Sequence, residues 1–174
     1  MKILITGTPG VGKTTLSKRI NLKLNLKHLD ISEYIKNNQL YDSYNDDFDT
    51  FDFSVSKVRK HLRKHLKDQN DYIIDTHTPE IAEKIKFDII FVLKCPLKTL
   101  KQRLLDRGYS DQKIQANIDC EVFDEIYHEC EEFFCDENII CLGNHINEGS
   151  LDDNLNLAIH EIEKIKKIPQ IKDI

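Results

Sequence analysis

The residues best suited to chemistry form a glycine-rich loop near the start of the chain. Residues 7–14 read GTPGVGKT, which matches the phosphate-loop pattern G-x-x-x-x-G-K-[ST] between a strand and a helix. The glycines free backbone N–H groups to surround phosphates, and the helix adds the positive end of its dipole. We expect a solvent-facing Lys13 to reach the β and γ oxygens of a triphosphate and Thr14 to hold Mg²⁺.

A second apolar run, residues 71–75, ends in a carboxylate, Asp75, that could also bind the metal ion. Phosphoryl transfer needs such a group near the metal, and Asp75 has the expected position at a strand end. His77 would lie on the same side as Asp75 if the chain stays extended. It could orient a water or an acceptor, or carry a proton near neutral pH. A histidine at the carboxyl end of a strand favours a functional role over a purely structural one.

A cationic side chain that could close over the nucleotide is Arg107, which precedes Gly108 at the end of a predicted helix. The glycine permits a sharp turn, so Arg107 could form part of a lid and stabilise the transferring charge. An ordinary charge at a helix C-terminus is the alternative. His61 and His65 have metal-ligand spacing on a helix, but no third ligand lies nearby in the sequence, so a metal site is not predicted there.

The segment 57–67 is strongly basic and carries Val58, Leu62 and Leu66 at helical spacing. A solvated helix face is the ordinary interpretation, and contact with substrate phosphates or RNA is the alternative. The formal net charge of -5 gives no nucleic-acid footprint for the whole protein. Direct nucleic-acid binding therefore stays open.

The elements that must position these residues alternate between strands and helices, which predicts right-handed crossovers and a parallel sheet. The segment 41–52 is acidic, aromatic and without a period, so we predict a mobile flap, and the tail after Pro169 is expected to fray. The predicted strands cover 2–6, 71–75, 87–93 and 138–142, and the predicted helices cover 14–26, 32–40, 54–68, 79–85, 96–106, 118–134 and 151–165.

Length and composition favour one globular domain inside the cell. The 174 residues are 40% hydrophobic and 32% charged, enough for one core. No apolar run approaches a membrane helix, which needs roughly 20 residues. The five cysteines lack paired CxxC spacing, so we expect reduced thiols rather than disulfides or a zinc site. The chain also lacks the DxxG and NKxD motifs of a GTPase.

The assembled motifs resemble adenylate kinase isoenzyme 6, the coilin-interacting nuclear ATPase family, over nearly the whole chain. The resemblance rests on the loop 7–14, on Asp75-Thr76-His77, and on the stretch from Arg107-Gly108-Tyr109 to 117–123. It implies an α/β P-loop NTPase fold of the adenylate kinase type, with a five-stranded parallel sheet flanked by helices. A single domain over 1–174 would carry a monophosphate-binding arm near 30–53 and a short lid near 106–116.

The same resemblance implies two activities, and the sequence leaves their balance open. One is phosphoryl exchange, in which ATP and AMP give ADP with Mg²⁺ as cofactor. The other is ATP hydrolysis coupled to small-subunit ribosome maturation, with the ribosomal protein uS11 and pre-ribosomal particles as partners in the cytoplasm and the nucleus. The alternative to an adenylate kinase is a dedicated assembly ATPase with weak or no monophosphate kinase activity.

The resemblance also assigns roles by position. Asp75 and His77 would form the family's Walker B-like pair, with Lys13 and Arg107 as the other catalytic residues and Asp75 beside Thr14 at the metal. The residues implied to bind ATP are Gly10, Gly12, Lys13, Thr14, Thr15 and Arg107, and those implied to bind the monophosphate are Lys36 and Tyr41.

Three departures from the family pattern concern recognition of the acceptor or of a partner. Lys36 stands where an arginine is expected, and lysine lacks arginine's bidentate fork. Thr76 replaces a usual aromatic residue, and the segment 78–86 lacks the Pro, Arg and Trp expected just before Phe87.

Overall fold

The computed structural model describes residues 1–46, 50–135, 138–143 and 151–167. In chain order its elements are β1 (Lys2–Thr6), α1 (Lys13–Leu24), β2 (Lys27–Asp30), α2 (Ile31–Asn37), β3 (Ser43–Asn45), β4 (Thr50–Asp52), α3 (Val55–Leu66), β5 (Tyr72–Asp75), a 3₁₀ turn (Pro79–Ala82), β6 (Ile89–Leu93), α4 (Leu97–Asp106), α5 (Asp111–Val122), α6 (Glu125–Phe133), β7 (Ile139–Leu142) and α7 (Leu151–Lys167).

Five of the strands form a parallel sheet in the order β2-β5-β1-β6-β7. Strand β1 lies at the centre, with Ile5 opposite Asp75 on one side and opposite Phe91 on the other. The chain leaves β1 where the strand order reverses, which is the place where sheets of this kind bind ligands. The predicted five-stranded parallel sheet is confirmed.

The sheet is covered on both faces, so alternate residues of β1 enter different core layers. Ile3 and Ile5 pack in the layer that contains Leu16 of α1 and Leu100 of α4. Leu4 packs in the opposite layer, which receives apolar side chains of α2, α3 and α6. These two layers hold the carboxyl ends of the strands in one plane, where the site is built.

The region between α1 and α2 differs from the prediction. Strand β2 was not predicted, because it is a short stretch without an apolar run. Helix α1 ends at Leu24 rather than Leu26, since Asn25 has a left-handed backbone with φ 53°. Helix α2 begins at Ile31, one residue earlier than predicted, because Asp30 caps it and accepts hydrogen bonds from the backbone N–H groups of Ser32 and Glu33.

The predicted single helix over 118–134 is wrong, because the chain forms two helices there. Helix α5 ends at Val122, and α6 begins at Glu125 after Asp124 adopts a left-handed φ of 55°. The apolar positions continue across the break, so their period alone could not locate it. The predicted helix at 79–85 is also shorter than expected, since only a 3₁₀ turn forms.

The segment 41–52 contains a two-stranded antiparallel hairpin rather than a stretch without regular structure. Strand β3 pairs with β4, and the Phe51 ring lies 4.4 Å from that of Tyr41 and 5.3 Å from that of Tyr44. Within the described ranges no helix has the length and apolarity needed to span a membrane. The predicted frayed tail lies outside the described residues.

Candidate functional site

The phosphate loop lies between β1 and α1 and is packed tightly against β6 and α4. Gly7 has φ 137°, and a Cβ atom there would come 2.3 Å from the carbonyl oxygen of Leu93. Gly10 has φ 100°, and its Cβ would meet Leu100 at 2.8 Å. Glycine is therefore required at position 7 by the Leu93 carbonyl group and at position 10 by the positive φ of the backbone. No side chain caps the N-terminus of α1, so its first-turn N–H groups lie beside the loop as an anion site requires.

Lys13 is buried rather than solvent-facing, which corrects the sequence-based expectation. Its side chain is 9% exposed, and Nζ donates hydrogen bonds to the carbonyl oxygens of Gly7 at 2.8 Å and Thr8 at 3.0 Å. Burial lowers the pKa of Lys13 to about 8, although the nearby Asp75 carboxylate acts in the opposite direction. The carbonyl groups of the loop thus hold the Lys13 ammonium group in place, and burial leaves its charge poorly solvated.

One cavity of about 240 Å³ collects the predicted catalytic, ATP-binding and metal-binding residues. Asp75 is 3% exposed at its inner wall, while His77 is exposed. The protein around the His77 ring, together with the Lys13 charge, lowers the pKa of His77, so the imidazole is neutral at pH 7. The predicted residues in its lining are Gly10, Gly12, Lys13, Thr14, Thr15, Asp75, His77 and Arg107.

The predicted metal residues Thr14 and Asp75 line the same cavity and fit Mg²⁺ chemically. A hydroxyl and a carboxylate supply oxygen ligands, which are the ligands that Mg²⁺ prefers. In the part of the chain that the structure describes, no group of three or more His, Cys, Asp or Glu forms a metal cage. The fit is that of an ion that arrives with nucleotide phosphates.

A larger cavity of about 540 Å³ adjoins the first and shares Gly10, Gly12, Thr15 and Arg107 with it. Arg107 caps the end of α4, so it stands between the two spaces. Arg103, which sequence reasoning missed, donates hydrogen bonds from Nη1 to the carbonyl oxygens of Gly10 at 3.1 Å and Val11 at 3.2 Å. Its spacing of four from Arg107 on one helix face was the available signal.

Glu121 is a second residue that sequence reasoning missed. It is 4% exposed on α5, and its carboxylate accepts a hydrogen bond from the Thr8 hydroxyl at 2.5 Å and from the Cys95 N–H at 3.2 Å. It therefore ties the phosphate loop to the end of β6. The signal was a carboxylate in register with the apolar residues Ile114 and Ile118 on one helix face.

The predicted monophosphate residues stand apart from this centre. Lys36 is exposed on α2, and Tyr41 is 36% exposed before the hairpin. Neither lines the two cavities at the loop or the small apolar pocket of about 50 Å³ beside His77. That pocket is lined instead by Phe51 of β4, by Phe53 directly after this strand, and by residues of α2 and the 3₁₀ turn. The roles of Lys36 and Tyr41 in binding the monophosphate stay predictions.

The basic helix α3 buries Val58, Leu62 and Leu66 at the predicted spacing. Arg59 pairs with Glu80 at 3.0 Å and with Glu83 at 2.9 Å, so part of the charge is neutralised by the 3₁₀ turn region. For the side of α3 that faces away from the core, a solvated face and contact with phosphates or RNA both stay predictions. His61 is within hydrogen-bond distance of the Tyr34 hydroxyl, at 2.7 Å.

Known proteins resemble this chain in sequence over most of its length. A family model described as an AAA domain matches residues 3–124. The adenylate kinase isoenzyme 6 homolog of Caenorhabditis elegans is 30% identical over 88% of this chain and 84% of its own. The homolog of Dictyostelium discoideum is 32% identical over 88% and 85%. A putative adenylate kinase of Methanocaldococcus jannaschii is 37% identical over 71% and 68%.

Solved structures support the fold alone, because their sequence identities are low. Deoxyadenosine kinase from M. mycoides with bound dATP superposes with a TM-score of 0.61 at 18% identity, over 94% of this chain and 100% of that one. Shikimate kinase from Acinetobacter baumannii with shikimate gives 0.64 at 15% identity, over 96% and 94%. Both neighbours are kinases by name, and the likeness in fold covers nearly the whole chain.

Proposed function

Because the chain belongs to the adenylate kinase isoenzyme 6 family and is a kinase, we propose that it transfers the γ-phosphoryl group of ATP to AMP and releases two ADP. The observation that carries the proposal is the position of Lys13, Asp75, His77 and Arg107 around one cavity. A larger cavity opens on one side of this centre, and an apolar pocket opens on the other.

The donor nucleotide would occupy the loop and the larger cavity. Backbone N–H groups of the loop would surround the phosphates, and Lys13 would exchange its contacts with the Gly7 and Thr8 carbonyl oxygens for phosphate oxygens. Arg107 borders both cavities, which suits a cation that stabilises charge on the group in transfer. Thr14 and Asp75 would hold Mg²⁺, which would neutralise phosphate charge when bound.

The acceptor would lie beside His77, where the apolar pocket offers Phe51 and Phe53 to a nucleobase. A neutral imidazole at this position can accept a hydrogen bond from a water or from the acceptor. Lys36 would contribute its charge only if the arm closes toward the site, as adenylate-kinase-like lids do. Substrate positioning and charge stabilisation account for the catalysis, without a covalent enzyme intermediate.

The test is ADP production from Mg·ATP alone, and then with AMP, CMP, GMP or UMP added in turn. Strong stimulation by AMP is expected. Stimulation by another monophosphate instead would identify that nucleotide as the acceptor. Lys13→Ala serves as the inactive control, and Lys18→Ala changes an exposed lysine on the same helix. Turnover that is indifferent to every monophosphate would refute the kinase proposal.

The second candidate function is an assembly ATPase that binds a ribosomal protein and uses hydrolysis to release it, in the cytoplasm and the nucleus. Two observations favour it: His77 lines the cavity and is exposed, so that it can position water, and Lys36 stands where an arginine is expected. A pull-down with uS11, with and without ATP, tests this role, and recovery of pre-ribosomal particles would extend it. If uS11 is retained in neither condition, the partner proposal fails.

A further inference from the structure

The strongest unexplained feature of the site is a buried histidine behind the Asp75 carboxylate. His28 lies on β2, next to β5 in the sheet, and its Nε2 is 3.4 Å from Asp75 Oδ2. The side chains are 10% and 3% exposed, respectively. Among the described residues neither of these two atoms has a hydrogen-bond partner. Two buried polar atoms thus face each other without a completed contact.

The strand register explains why the two side chains meet. Asp30 lies opposite Asp75 and His28 lies opposite Ile73, so His28 is two residues before Asp30 on β2 and on the same face of the sheet. A separation of 3.4 Å is slightly longer than an N–H···O hydrogen bond of about 2.7–3.2 Å. A small rotation of either side chain would close it.

The buried lysine of the loop does not take this role in the structure. Lys13 Nζ donates its hydrogen bonds to the carbonyl oxygens of Gly7 and Thr8. A carboxylate that binds a metal is itself held by hydrogen bonds from neighbouring groups, and loss of such a partner weakens the metal affinity. The sheet places His28 where it can be such a partner for Asp75.

We infer that His28 is a positioning residue, which holds one oxygen of Asp75 through Nε2 and thereby orients the carboxylate toward the cavity shared with Lys13 and Thr14. His28 does not touch the substrate in this arrangement. Its effect is on the affinity for Mg²⁺ in the nucleotide complex. This inference rests on the proposed function, because it takes Asp75 as a residue that holds the metal of a nucleotide.

The test compares His28→Phe, which keeps a ring and removes the donor, with His28→Gln, whose amide nitrogen can reach the position of Nε2. Lys27→Ala is the matched control, since Lys27 is exposed on the same strand and contacts Gln69. Binding of a fluorescent N-methylanthraniloyl ATP is titrated with Mg²⁺ and, separately, in EDTA. The Mg²⁺ activation of ADP formation is measured alongside.

For His28→Phe we expect the Mg²⁺ concentration for half-saturation to rise about 10–100-fold, the range found for partners of metal ligands. ATP binding in EDTA should stay within about twofold, because the phosphate loop is unchanged. His28→Gln should restore most of the Mg²⁺ affinity, and Lys27→Ala should match the wild type. A half-saturation of His28→Phe within about twofold of wild type overturns the inference.

Three further outcomes are decisive. If ATP binding in EDTA weakens as much as binding with Mg²⁺, the effect is general structural damage and the inference is wrong. If His28→Phe does not fold, His28→Asn replaces it, because its amide is one methylene shorter than that of His28→Gln and falls short of Asp75. Equal Mg²⁺ affinity of the Gln and Asn variants then overturns the inference. A wild type that binds Mg·ATP but makes no ADP from AMP would instead contradict the proposed function.

Discussion

Replacing Glu121 should weaken both the fold and the phosphate loop, because its buried carboxylate serves two donors. Glu121→Ala would leave the Thr8 hydroxyl and the Cys95 N–H without their acceptor. A buried donor without a partner costs about 1–3 kcal/mol. We therefore expect a loss of about 3 kcal/mol in the free energy of unfolding, a large part of the roughly 5–15 kcal/mol typical of a domain.

Glu121→Gln separates the loss of the hydrogen bonds from the loss of the charge. Its amide oxygen can accept from the Cys95 N–H while its amide nitrogen donates to the Thr8 hydroxyl oxygen. We expect this variant to lose only about 1 kcal/mol. Glu132→Ala, an exposed glutamate on the next helix, should stay within about 0.5 kcal/mol of wild type.

Urea unfolding and thermal melting measure these differences. A loss of 3 kcal/mol should lower Tm by about 6–12 °C in a chain of this size. Because Thr8 belongs to the phosphate loop, Glu121→Ala should also reduce kcat for ADP formation by about 10-fold or more at a temperature where it is folded. The reasoning would be refuted if Glu121→Ala were as stable as Glu132→Ala, or if the Gln and Ala variants lost equal stability.

Three further predictions concern residues of the proposed site. Lys13→Ala should abolish ADP formation. Burial lowers the pKa of Lys13 to about 8, so the unfolded chain holds the Lys13 proton more tightly than the folded chain does. The free energy of unfolding of the wild type, measured in urea, should therefore rise relative to that of the variant from about pH 8 to 10.5. His77→Gly should slow hydrolysis without an acceptor more than transfer to AMP, and equal losses in the two assays would assign His77 to a common step. Lys36→Arg should lower the KM for AMP by about 10-fold through a bidentate contact, whereas an unchanged KM would place Lys36 outside the acceptor site.

Elements of the fold could be predicted from the sequence where neighbouring residues alone determine the backbone conformation. The phosphate loop is contiguous, so GTPGVGKT indicated both its conformation and its place between a strand and a helix. Apolar runs likewise marked β1, β5, β6 and β7. Strand β2 was not predicted, because its residues are mostly polar and it forms a strand by pairing with β5. The break at Asp124 was not predicted, because the apolar period continues through it.

The environment of each site residue was less predictable than its identity. Sequence reasoning named Lys13 but placed it in solvent, whereas the loop carbonyls and the surrounding core bury it. Burial changes its pKa and hence its contribution to stability with pH. The aromatic segment 41–52 was recognised, but its pairing into a hairpin was not, since short strands become stable only against a partner.

The sequence by itself determined the phosphate loop, the alternation of strands and helices, and the family. Only the tertiary structure decided that Glu121 reaches Thr8, that Arg103 holds Gly10 and Val11, and that His28 faces Asp75. The physical reason is that a local pattern sets the backbone conformation and the buried face of an element. Which polar groups meet on that face depends on strand order and helix packing, which join residues far apart in the chain.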